Sequence, residues 1–81
     1  MTLEDLLRNV QLECTVKIEC YEDEDNPTIY YEDYMIGGFP GELEELHDRE
    51  VAYMFPYTFY HEKALIAGIC IELAAEDYEE I

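Results

Sequence analysis

Eighty-one residues carry 21 acidic and 4 basic side chains, a formal net charge of −17, and 49% of them are hydrophobic. That charge excludes direct binding to DNA, RNA or an anionic membrane as the main activity, and the apolar share excludes a wholly disordered acidic tail. One folded domain over 1–81 is expected, with a small core and a surface whose self-repulsion weakens as salt rises.

The opening, MTLEDLLRNV, has no basic region followed by an apolar core, so no signal peptide is expected. It reads as a helix over Thr2 to Val10. Thr2 is a good N-cap and Asp5 completes a capping-box spacing. Leu3, Leu6, Leu7 and Val10 form one apolar stripe at i, i+3, i+4, i+7. Leu12 to Tyr21 then reads as a strand. Leu12, Cys14, Val16, Ile18 and Cys20 alternate with Glu13, Thr15, Lys17, Glu19 and Tyr21, which predicts one inward and one solvated face.

Glu22 to Pro27, EDEDNP, is a turn, because Asn26-Pro27 favours a turn or extended backbone. Thr28 to Ile36 returns as a second strand. Ile29, Tyr31 and Met35 look core-like, which leaves Asp33 on their face as an anomaly that a bulge near Glu32–Asp33 would relieve. Glu13, Glu19, Tyr21, Tyr30, Glu32 and Tyr34 are then expected on one solvent face. Gly37-Gly38 and Phe39-Pro40-Gly41 break the pattern. Glu42 to His47 allows one or two helical turns with Leu43 and Leu46 pointing down.

Arg49 to Phe55 reads as a third strand ended by Pro56, and Tyr57 to Lys63 as an aromatic hairpin loop. Ala64 to Leu73, apolar almost throughout, predicts a fourth strand covered on both faces. Its Gly68 predicts a close approach by a neighbour. The last residues, AAEDYEEI, extend the strand briefly or fray. The order is α-β-β-α-β-β, an α+β fold with an antiparallel sheet of about four strands, an N-terminal helix and a short second helix. Tyr31, Tyr53, Phe55 and Phe59 are expected in the core, and Tyr21, Tyr30 and Tyr34 at an interface.

Several chemistries find no support. The carboxylates are many and solvated, whereas an acid–base pair needs a pocket that separates its pKa values. An EF-hand loop from Asp23 would need Gly and Glu where the chain has Thr28 and Tyr34. Cys14, Cys20, Cys70, His47 and His61 lack zinc-ligand spacing, and no local signature pairs a cysteine with a histidine as nucleophile. No enzyme activity and no cofactor or metal is expected. Three irregularly spaced cysteines argue for a reducing, cytoplasmic compartment. The longest apolar run, Ala64 to Ile71, is too short for a membrane span. Halophile-type acid usage would be spread evenly, whereas these acids cluster at 19–25, 32–33, 42–50 and 72–80.

The remaining signal is the stretch ECYEDEDNPTIYYEDY, Glu19 to Tyr34. It holds seven carboxylates, four tyrosines and no Lys, Arg or His. Such a segment calls for a positive surface, and proteins that bind nucleic acid supply the commonest large ones. The opening MTLEDLLRNVQLECTVKIECYEDED and the middle FPGELEELHDREVAYMF resemble small acidic proteins of phages and mobile elements of Gram-positive bacteria, some of which are anti-CRISPR inhibitors acting as DNA mimics. The resemblance is one of pattern and size. It implies a bacterial cytoplasm and a type II CRISPR effector nuclease as partner, blocked where it reads the motif beside its target. Glu19, Glu22, Asp23, Glu24, Asp25, Glu32 and Asp33 would imitate nucleic-acid charge, and Tyr21, Tyr30 and Tyr34 would supply an apolar centre. The alternative is an acidic accessory protein of a mobile element that binds another basic protein, such as a restriction enzyme, repressor or relaxase, without mimicking DNA. Tyrosine-rich strand edges also offer a route to a homodimer.

Overall fold

A computed structural model describes residues 1–10, 12–23 and 25–75. Helix α1 spans Leu3–Asn9, and the Thr2 hydroxyl accepts from the Asp5 backbone N–H at 3.1 Å, as the capping pattern requires. Its remaining free amides are satisfied from outside. Leu3 N–H donates to the Arg49 carbonyl at 2.8 Å and Glu4 N–H to that of His47 at 3.0 Å. Leu3, Leu6 and Leu7 are buried. Val10 is the C-cap and is exposed, because the chain has already left the helix there.

Strands β1 (Glu13–Cys20), β2 (Thr28–Ile36), β3 (Val51–His61) and β4 (Ala64–Leu73) form one sheet in the order β2-β1-β4-β3. The two sequential hairpins, β1–β2 and β3–β4, are antiparallel, but β1 and β4 pair in parallel at the centre. The sheet is therefore mixed, which corrects the all-antiparallel expectation. The helical connection from β2 to β3 carries the chain across the sheet, so β4 returns alongside β1 in the same direction. The second helix is a 3₁₀ turn, Gly41–Leu46, that buries Leu43.

One face of the sheet holds the core. Val16, Ile18, Cys20, Met35, Ile71 and Leu73 meet Leu3, Leu6, Leu7 and Leu43 there. The cover reaches only part of the sheet. β4 pairs with β1 from Gly68 to Leu73, while Ala64 to Ala67 pair with β3 alone. Leu65 is 73% exposed and Ile71 is fully buried. The expectation of a strand covered on both faces fails for this outer half, where Ala64 to Ala67 are all exposed.

Pro56 does not end β3. The strand runs through it to His61, and Glu62–Lys63, with φ of 49° and 67°, make the tight turn. Proline is tolerated because β3 is an edge strand. Tyr53 and Phe55 are exposed rather than core, because they face away from α1. Phe59 is buried as expected. It lies edge-on to Tyr57 at a 4.9 Å centroid separation. A Cβ at Gly68 would stand 2.2 Å from the Thr15 carbonyl oxygen and 2.7 Å from the Phe59 ring, so the predicted close approach is real.

Candidate functional site: the acidic hairpin and the open sheet face

The sheet bulge lies between Ile18 and Glu19, opposite Tyr30, and not at Glu32–Asp33. Its effect is to turn Ile29 out of the core face. Ile29 is 47% exposed, while Tyr30 and Tyr31 both pack partly against the core. Asp33 keeps its predicted face but sits in solvent at the sheet edge, where its carboxylate accepts from the Tyr34 N–H at 2.7 Å. Burial, followed by the charges of Glu42 and Asp33, raises the Tyr31 phenol above its ordinary pKa. The β2 edge and the 3₁₀ turn thus share one negative field.

Glu19 is the main correction to the expected site. It is 6% exposed, and Lys17 Nζ lies 3.4 Å from its carboxylate. Lys17 in turn sits 4.8 Å from the centre of the Tyr57 ring and 3.5 Å from its hydroxyl. Burial pulls the Lys17 pKa down, but the Tyr57 and Glu19 contacts outweigh it and the net shift is upward. Glu19 is therefore held within the sheet by a lysine and a tyrosine platform. Cys70, fully enclosed beside it, has its thiol pushed up to about 11 by burial first and the Glu19 carboxylate second.

Tyr30 is also withdrawn from the expected interface. Its hydroxyl donates to Glu22 at 3.1 Å, and Arg49 stands 3.6 Å from the same carboxylate. Arg49 is buried, donating to the Ala74 carbonyl at 3.1 Å and contacting Cys20 Sγ at 3.3 Å. One guanidinium thereby ties the root of the acidic turn to the ends of β1 and β4. The signal for this was present, since a single arginine within GELEELHDREV has no shortage of anions to seek, but its burial was not legible.

Presented to solvent are Glu22, Asp23 and Asp25 at the turn, Glu32 and Asp33 along β2, and Glu13 beside them, with Tyr21 and Tyr34 exposed among them. Asp23 accepts from the Asp25 N–H at 3.1 Å, which shapes the turn. Glu24 lies outside the described residues, as do residues 76–81. No lysine or arginine occurs on β2.

Among the described residues no helix or strand packs over the face of the sheet opposite α1. Register places Glu13, Glu32, Tyr34, Phe59 and His61 on it. These side chains line a cleft of about 770 Å³ that crosses from β2 to β3. Carboxylates stand at the β2 side and aromatic rings at the β3 side, a lining suited to a cation on an apolar stem. Among the described residues, no three His, Cys, Asp or Glu side chains are grouped to hold a metal ion, and no helix is long and apolar enough to cross a membrane. Comparison with protein-family models, curated proteins and solved structures gave no match to this chain.

Proposed function

We propose that this protein is a non-enzymatic DNA mimic that blocks a nucleic-acid-binding protein of bacterial defence, with a type II CRISPR effector nuclease as the first candidate. The observation that carries the reading is the set of Asp23, Asp25, Glu32 and Asp33, exposed on the turn and edge of a hydrogen-bonded hairpin with no ion pair to any of them among the described residues and no cation on its outer strand. Duplex DNA carries one phosphate per about 3.4 Å of helix axis on each strand, and a hairpin turn with its edge strand can set carboxylates at comparable density. A nuclease of this class reads its short motif through arginines in the major groove. Carboxylates on a hairpin meet such arginines without the cost of bending or melting a duplex, and bidentate pairing adds geometric selectivity. In this reading Tyr34 and the adjoining cleft receive the apolar stem of one such arginine, with Tyr21 beside the turn. Glu19 and Tyr30 position the hairpin from within.

The test is target-DNA binding by a guide-loaded type II CRISPR nuclease near physiological salt, with and without this protein. Inhibition that weakens as salt rises, and that disappears in the Asp23→Lys/Asp25→Lys double variant, is the expected result. Binding to the nuclease that leaves its DNA occupancy intact would instead make the chain an accessory protein. No binding and no inhibition would remove this effector.

A further inference from the structure

The two edges of the sheet are protected very differently. β2 carries Glu32 and Asp33 and a bulge at Tyr30, which are common devices against edge-to-edge pairing. β3 has ten consecutive uncharged residues, Val51 to Tyr60. Around it Tyr53, Met54, Phe55, Tyr57, Tyr60, Leu65 and Ile66 are between 36% and 73% exposed. Large side chains of this kind offer on the order of 100 Å² each when so exposed, and those at the tip of the hairpin nearest the edge supply apolar contact to a strand-to-strand pairing.

Pro56 reveals which backbone groups are free. It has no N–H to give to β4, so it occupies a position whose N–H would point away from that strand. Hydrogen-bonded and non-hydrogen-bonded pairs alternate along an antiparallel ladder, and the β3–β4 register is unbroken from Met54 to His61. Thr58 and Tyr60 therefore share the phase of Pro56. Their N–H and C=O groups point at the open edge, beyond which no strand lies among the described residues.

We infer that β3 is a self-association edge, on which a second copy of this chain adds its own β3 in antiparallel pairing. The register that uses the free donors best sets Thr58 against the partner's Tyr60, and Tyr60 against the partner's Thr58, about a two-fold axis at Phe59. A register centred on Pro56 would forfeit donors. A second copy is favoured over a basic partner by charge. A basic protein is drawn to the β2 side, whereas Val51 to Tyr60 offer it no anion. Two copies at −17 each repel everywhere else and meet with least repulsion at this neutral strand. The β2 edges and acidic turns are left at the two outer ends of a continuous eight-stranded sheet.

The sign of the salt effect separates this from the proposed inhibition. Charge-driven binding to a basic protein weakens with salt. Association of two like-charged copies through a neutral edge strengthens, by about tenfold or more in dimer dissociation constant between about 0.05 M and about 0.5 M sodium chloride, as the Debye length falls from roughly 14 Å to roughly 4 Å. Sedimentation equilibrium on the full chain reads this directly. Thr58→Pro should give a folded monomer, because it removes an outward N–H in the phase that Pro56 already occupies and leaves the β4 ladder intact. Circular dichroism confirms that fold, and Tyr60→Glu, which adds charge to the edge without a backbone change, should also give a monomer. A wild-type monomer at both salts, a dimer that weakens with salt, or a dimer unchanged in folded Thr58→Pro and Tyr60→Glu would each overturn the inference.

Discussion

The β1–β2 and β3–β4 hairpins are each an antiparallel pair with one strand at the sheet's edge, yet their chemistry differs. From Glu13 to Ile36 there are eight acidic residues and one lysine. From Val51 to Leu73 there are two acidic residues and one lysine. The first hairpin puts Val16, Ile18, Cys20 and Met35 under α1 and, Glu19 apart, its carboxylates outside. The second has the longer strands and the thinner cover, and leaves tyrosines, Met54 and Leu65 in water. The molecule's extreme net charge is thus a property of particular surfaces, and its neutral hairpin stands out because the rest is acidic.

The comparison can be broken most directly within β4, which passes from the packed region to the bare one. Ile71→Ala should lower stability by about 2–5 kcal/mol, while Leu65→Ala, truncating a side chain that is 73% exposed, should stay within about 0.5 kcal/mol. Urea midpoints of the two variants, measured on monomer, check this, and equal losses would mean that the outer half is covered after all. At the junction, Gly68→Ala forces a methyl toward the Thr15 carbonyl and the Phe59 ring. A loss of about 1–3 kcal/mol is expected, with the Thr15 and Phe59 amide signals shifting most in a heteronuclear NMR spectrum.

The smallest effect is a pH dependence located where the two hairpins meet. The Cys70 thiol titrates near 9.0 when unfolded and at about 11 in the fold. A folded pKa raised above the unfolded value stabilises below the lower value and is lost as pH rises through the higher one. Lys17, Cys20, Tyr30 and Tyr31 are shifted upward too. Melting temperature should therefore decline from about pH 9 to about pH 11, and Cys70→Ser should shrink that decline. An unaltered slope in the variant would assign it to the other groups.

Several elements were legible because their determinants are local. Thr2 and Asp5 write the helix start, the alternation from Leu12 to Cys20 writes β1, and Gly68 announces a crowded backbone. What was not legible depended on distant chain. Glu19 alternates with the solvated residues, and only Lys17 and Tyr57, the latter from β3, make its burial affordable. Tyr30 reads as an exposed aromatic until a bulge turns it toward Glu22 and Arg49. Pro56 reads as a strand end, which holds for an inner strand but not for an edge. Tyr53 and Phe55 promised a core that would have required a second covering layer, and among the described residues the covering elements are α1 and one 3₁₀ turn. Of the expected site residues, the described turn acids and the outer residues of β2 are exposed as expected, while Glu19 and Tyr30 serve the frame.

The parallel pairing of β1 with β4 bears on how this chain assembles. Each hairpin is a local event, of the kind that forms in about 1–10 μs. The seam between them joins Thr15 to Gly68, so it closes a loop of more than fifty residues before any of its hydrogen bonds is gained, and that is an entropic toll on the rate. Until the seam forms, the inner edges of β1 and β4 are as open as the outer ones. The last strand in the order is also a central one. The two hairpins are expected to unfold together, since loss of the seam would leave the neutral hairpin with two bare edges in place of one.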